Sequence, residues 1–111
     1  MDKHEYLGKF VFHGLTNLND GFDAVGISYF SEADFETVLR RVEELGIGVC
    51  GIEPWKDKKY YDVRIFEDYK YESSDPRWYW SAFEEFRKKD KELLYAATFA
   101  IPEEKLNDGV S

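Results

Sequence analysis

Few side chains in this chain have the types and spacing that catalysis requires. The two histidines, His4 and His13, lie in the N-terminal stretch, and the single cysteine, Cys50, lies in an apolar run. A nucleophilic mechanism needs a base beside its nucleophile, and a zinc site needs several ligands at short spacing. We therefore expect no catalytic residues, no metal site and no cofactor, and we interpret the chain as a non-enzyme.

Residues suited to protein contacts are better represented. Residues 10–55 hold eight acids against Arg40 and Arg41, so this half carries most of the net charge of −8. Affinity for nucleic acid comes from Lys and Arg, so this balance argues against a nucleic-acid partner and favours a basic partner protein. The candidate acidic contacts lie in or beside the first predicted helix: Glu32, Asp34, Glu36, Glu43 and Glu44.

Aromatic residues are concentrated in the second half of the chain. Nine of them fall between residues 55 and 80, more than two strand faces and one helix stripe can bury. Tyr and Trp are favoured at the centres of protein interfaces, so some of these side chains are candidate contacts. On a helix, Trp78 and Trp80 point to opposite sides of the apolar stripe, so at least one indole is expected to be half exposed or covered by residues 70–74. The candidate aromatic contacts are Trp55, Tyr60, Trp78 and Trp80.

Two segments have the caps and apolar spacing of amphipathic helices. The first begins after Ser31, a capping residue followed by Asp34, and its apolar residues recur at helical spacing until Gly46. The second begins after Asp75, with a proline in the first helical position, and runs to about residue 90. Each helix has one apolar stripe, so both are expected to pack onto a common surface.

That common surface is predicted to be a sheet built on a hairpin between the two helices. Residues 47–55 form a small apolar arm, KDKK forms the turn, and residues 60–69 form an arm in which apolar and polar residues alternate. Residues 93–102 predict a further strand. The inner face of the second arm is predicted to hold Tyr61, Val63 and Ile65.

One more strand is predicted near the N-terminus, at residues 10–14 or at residues 25–29, and the sequence leaves open which of them is the principal strand and whether both pair. The order strand, helix, strand, strand, helix, strand then predicts an α+β fold, a ferredoxin-like split βαβ sandwich. Its antiparallel sheet has four or five strands, and both helices cover one face. The other face is left open.

The totals predict one domain. All 111 residues fit a single domain, with residues 1–8 and 103–111 as loosely held termini. No apolar run is long enough to cross a membrane and no signal peptide is visible, so we expect no membrane partner and a cytoplasmic location. A single cysteine is consistent with a reducing compartment.

Three stretches together resemble a known class of small bacterial proteins. They are GISYFSEADFETVLRRVEELGIGVCGIEPW at 26–55, YYDVRIFEDY at 60–69 and DPRWYWSAFEEF at 75–86. In overall pattern they are similar to immunity proteins found beside polymorphic and contact-dependent growth inhibition toxins, and GIEPW is the most distinctive piece. The resemblance covers about residues 25–101 and involves no catalytic signature.

The resemblance implies a non-enzymatic inhibitor that binds the C-terminal domain of one cognate toxin in the cytosol of the producing cell. Many such toxins are nucleases with basic clefts, to which an acidic, aromatic-rich surface would be complementary. The alternative is a ferredoxin-like regulatory module that binds a small molecule or forms a homodimer through its open sheet face.

Overall fold

The sheet is built around one central strand, β1, which spans Gly48–Lys56. In the computed structural model, which describes residues 1–107, β1 pairs antiparallel with β4, Leu94–Ala100. Its other edge pairs with two short strands, β2 at Lys59–Tyr60 and β3 at Arg64–Ile65. The four strands form one open antiparallel sheet, so the predicted α+β class is confirmed and the architecture is compatible with a ferredoxin-like fold.

The two long helices cover one face of this sheet, as predicted. Helix α2 spans Glu32–Leu45, and the Ser31 hydroxyl that caps it accepts a hydrogen bond from the Asp34 amide at 3.2 Å. Helix α3 spans Pro76–Lys89 and is capped by Asp75. Aromatic side chains of both helices contact Tyr95 of β4. The ring centroid of Tyr95 lies 5.0 Å from that of Phe35, on which it stacks, and 5.1 Å from that of Phe83. Among the described residues no helix is both long enough and apolar enough to cross a membrane.

The second arm of the predicted hairpin is not a continuous strand. Its pairing stops after β2, resumes for the two residues of β3, and gives way to a 3-10 helix at Phe66–Tyr69. The predicted burial of Val63 and Ile65 is wrong, since they are 40% and 39% exposed. The Val63 amide donates a hydrogen bond to the Asp62 carboxylate, which competes with regular pairing, whereas Ile65 is paired with Gly51 and lies on the open face of the sheet.

Neither N-terminal segment forms the predicted strand. Residues 10–14 fall largely in and beside a π-helical turn, Leu7–Val11, that continues the short helix α1 at Lys3–Tyr6. Residues 25–29 form no strand either, and only Phe30 makes a single antiparallel bridge, to Tyr95. Helical geometry is favoured because it buries Tyr6, Leu7 and Val11 on one side. In a strand, where side chains alternate between faces, the neighbours Tyr6 and Leu7 would point to opposite sides.

The N-terminal segment is therefore part of the core. Tyr6 and Leu7 are buried, which corrects the expectation that residues 1–8 are loosely held. The Met1 amino group donates a hydrogen bond to the Leu106 carbonyl at 2.7 Å, and this contact joins the start of the chain to helix α4, Glu103–Leu106. The rest of the predicted loose tail, residues 108–111, lies outside the described residues.

Candidate functional site

Three acids in the N-terminal part of α2 are engaged within the fold. Glu32 and Glu36 lie 3.3 and 3.4 Å from the guanidinium group of Arg87 on α3. The Asp34 carboxylate accepts a hydrogen bond from the Thr16 amide at 3.4 Å. Acids in a first turn also stabilise the helix through its dipole. These three residues thus have structural roles that reduce their value as free contacts.

The acids in the last turn of α2 are placed differently. Glu43 and Glu44 are both exposed, and Glu43 accepts a hydrogen bond from the Trp80 indole N–H at 2.7 Å. Within residues 1–107, the Glu44 side chain makes no hydrogen bond or ion pair. Negative charge at a helix C-terminus is unfavourable because it lies beside the negative end of the dipole. Helix stability therefore does not explain this cluster, and we name Glu43, Glu44 and Trp80 the helix-end patch.

Trp78 is a core residue, and its prediction as a partner contact is corrected. It has no exposed surface, and its indole N–H lies 3.1 Å from the Val49 carbonyl and 3.2 Å from that of Ser73. The segment that precedes α3 covers it, which was one of the two outcomes expected from the helical positions. Trp80, on the other side of the stripe, remains partly exposed.

The other two predicted aromatic contacts lie at the far end of β1. Trp55 is half-buried beneath Phe22 and Tyr29, with ring centroids 5.5 and 5.4 Å away. Tyr60, which pairs with Trp55 from the neighbouring strand β2, is 55% exposed. Trp55 lies seven positions along β1 from Gly48, the residue at which the strand begins after α2, so this pair lies roughly 20 Å from the helix-end patch. The structure does not bring all the predicted contacts together.

A pocket on the second face of the sheet was not predicted. It has a volume of about 550 Å³ and lies between the strands, the N-terminal helical segment and the loop before α2. We call it the sheet-face pocket. No motif marks it, and the only sequence signal is a run of small residues in neighbouring strands. Its main lining residues are Lys3, His4, Leu7, Phe12, Ile27, Gly51, Glu53, Val63, Ile65, Ala96 and Thr98.

The floor of the pocket consists of two rows of side chains across the sheet. In one row Gly51 of β1 lies between Ile65 of β3 and Thr98 of β4. In the next row Glu53 lies opposite Ala96. Small side chains near the middle leave space above the central strand, while the larger side chains surround it. His4, expected to lie in a frayed terminus, belongs to the wall.

The loop that forms another wall is held by its own hydrogen bonds. The Asn19 side-chain amide donates to the Ala24 and Ile27 carbonyls at 2.9 and 2.8 Å, and its oxygen accepts from the Gly21 amide at 3.1 Å. The hydroxyl group of the buried Tyr29 donates a hydrogen bond to the Asp23 carboxylate. Burial and this bond raise the pKa of Tyr29, and the bond lowers that of Asp23. The wall is therefore preformed.

The chain was compared with protein-family models, with curated proteins and with solved structures, and no match was found in any of the three. The functional argument consequently depends on the geometry of the helix-end patch and of the sheet-face pocket.

Proposed function

We propose that this protein is a non-enzymatic immunity protein that binds and neutralises a cognate bacterial toxin domain in the cytosol. The helix-end patch is the centre of its contact surface, and the toxin contributes a basic surface. Other acids near α2 and the exposed ring of Tyr60 add to the negative and aromatic character of the molecule.

One observation carries this proposal: two exposed acids occupy the end of α2 where the helix dipole disfavours them. The last turn of α2 contains no basic residue to compensate for them. Residues that break a local rule without a structural gain are the ones expected at functional sites.

The neighbouring indole supports the same surface. The bond from Trp80 to Glu43 fixes the orientation of both side chains before a partner arrives. A preorganised Trp beside carboxylates is suited to an interface, because less conformational entropy is lost on binding and aromatic residues commonly supply the binding energy.

Co-expression tests the proposal. An immunity protein is expected to be encoded next to a large toxin gene, so this chain is produced together with the C-terminal domain of that neighbour. We expect growth to be restored and a one-to-one complex to co-purify. Persistent toxicity with no complex would exclude the inhibitor function.

The second candidate function is a regulatory module that acts through its open sheet face. The sheet-face pocket favours it, since its volume lies within the range of about 300 to 1,000 Å³ that is typical of small-molecule sites. Sedimentation analysis and thermal melting separate its two forms: a concentration-dependent dimer in sedimentation indicates self-association, and a monomer whose melting temperature rises with a small molecule indicates ligand binding.

A further inference from the structure

We propose that the sheet-face pocket binds a small molecule with a flat apolar body and one protonated nitrogen, which pairs with Glu53. This inference deepens the second candidate function and rests on it. It is independent of the helix-end patch, which belongs to the helical layer on the opposite face of the sheet.

The apolar body is inferred from side chains that the fold leaves in water. Ile27 comes from the loop, Val63 immediately precedes β3 and Ile65 lies in it, and all three are more than one-third exposed. All three line the same concave surface. Exposed apolar residues that converge on one pocket are characteristic of a binding site, because a ligand there removes their surface from water.

The flat shape is inferred from the floor. Gly51 has an ordinary backbone conformation, and an added Cβ atom would lie 3.5 Å from Thr98 and 3.5 Å from Ile65, which are normal contacts. Neither strain nor crowding therefore requires glycine at this position. Because glycine has no side chain, the middle of the floor does not project above Ala96, and a planar ring system can lie across the strands.

The positive charge is inferred from Glu53. It is fixed on the central strand of the sheet, and no ion pair or hydrogen bond to its carboxylate is present within residues 1–107. The other titratable groups that line the pocket are Lys3 and His4, which lie in the N-terminal helix. A lysine side chain at a rim can turn its ammonium group toward water, whereas Glu53 is held by the sheet. The net charge of −8 also raises the local concentration of cations.

Two probes with the same ring and opposite charge test the inference: tryptamine, a cation, and indole propionate, an anion. Each is titrated into the isotope-labelled protein, and backbone amide shifts are followed by NMR. Tryptamine is expected to shift Gly51, Ala96 and Thr98 and to bind about five-fold more tightly than indole propionate.

Variants separate the parts of the inference. Glu53→Gln is expected to reduce that ratio to about one, while Glu44→Gln, the same change on the other face, leaves it unchanged. Thr98→Phe fills the pocket from an exposed position and should abolish binding of both probes. Gly51→Ala adds a methyl group that the fold can accommodate, so it should weaken the binding of both probes. It serves as the test of the floor if Thr98→Phe does not fold.

Each contrary outcome has a clear meaning. The absence of shifts with both probes, or equal affinity for both in the wild type, would overturn the inference. Shifts in the pocket that depend on protein concentration alone would identify a second copy as the occupant and would also overturn it. None of these results bears on toxin binding, which is measured through the helix-end patch.

Discussion

At the scale of single residues, chemically identical carboxylates on α2 have different roles. Glu32 pairs with Arg87 of α3, whereas Glu44, in the last turn of α2, is exposed and makes no hydrogen bond or ion pair within the described residues. The sequence predicted both as candidate contacts because charge alone does not distinguish them. What separates them is a contact between residues 55 positions apart, which depends on how the helices pack.

Two buried tyrosines give a residue-scale prediction. The Tyr95 hydroxyl is buried without a hydrogen-bond partner among the described residues, whereas that of Tyr29 donates to Asp23. Removal of an unsatisfied buried group is favourable, so we expect Tyr95→Phe to raise the free energy of unfolding by about 1 kcal/mol. The matched change Tyr29→Phe should lower it by about 2 kcal/mol. Urea unfolding measures both, and equal effects would contradict the assigned contacts.

The pH dependence of stability follows from the same class of residue. Burial, with a hydrogen bond to Glu85, raises the pKa of Tyr69 from 10.0 to about 12. Burial also raises the pKa values of Tyr79 and Tyr95. The unfolded chain then loses these protons first, so the stabilisation by Tyr69 is complete below about pH 10 and is lost as the pH rises through about 12, and the raised pKa values of the other two tyrosines add to the fall in stability above pH 10. We expect the urea midpoint to fall over this interval and to fall less in Tyr95→Phe. A constant midpoint would contradict this.

At the scale of elements, the two long helices and the strands β1 and β4 were predictable, whereas the N-terminal helical segment and the broken second arm of the hairpin were not. The start of each long helix depends on residues within one turn, Ser31 and Asp75, so local sequence is sufficient. The run Phe10 to Phe12 is apolar at every position, and such a run does not distinguish a strand from a helix. Residues 60–69 alternate, but the hydrogen bonds of Asp62 interrupt their pairing.

The pocket could not be predicted for a related reason. Its walls include a segment that was expected to be frayed and a loop in which residues 25–29 were a candidate strand. Once α1 and the loop before α2 lie beside the open sheet face, small residues such as Gly51 and Ala96 become a floor. Their types were visible in the sequence, but their common surface required the tertiary arrangement.

The loop before α2 gives an element-scale prediction. Because the Asn19 side chain bonds several backbone groups of this loop, Asn19→Ala should lower the free energy of unfolding by about 2 kcal/mol and loosen one wall of the pocket. Amide exchange of residues 21–29 should become faster. Asp20→Ala is the control: it removes only an exposed ion pair with Lys58, so its cost should stay below about 0.5 kcal/mol. Similar effects of the two changes would contradict the role of Asn19.

At the scale of the whole molecule, the two candidate sites lie on opposite sides of one sheet. The helices that carry the helix-end patch cover the face of Tyr95, and the pocket opens on the face of Gly51 and Thr98. Substitutions in distant sites with no shared contacts usually act additively. Changes in the pocket should therefore leave toxin binding unaltered, and changes in the patch should leave ligand binding unaltered.

Net charge acts on the same scale, and it supports the central claim that an acidic surface binds a basic toxin domain. Glu44→Lys is the most specific test of that surface because, within residues 1–107, the Glu44 side chain has no hydrogen bond or ion pair to lose. Reversal of Glu36 or Glu43 would also disturb Arg87 or Trp80. Glu104→Lys, an exposed position in α4, makes the same change in charge elsewhere.

The most direct measurement is the dissociation constant of the complex with the neighbouring toxin domain, determined by calorimetry at low and at high salt. We expect Glu44→Lys to weaken binding by about five- to tenfold at low salt and by less at high salt, because salt screens exposed charges. Glu104→Lys should have little effect on binding, and Glu44→Lys should melt no lower than the wild type, because a lysine in the last turn of α2 suits the helix dipole. An unchanged affinity of Glu44→Lys at low salt would contradict the placement of the interface at the end of α2.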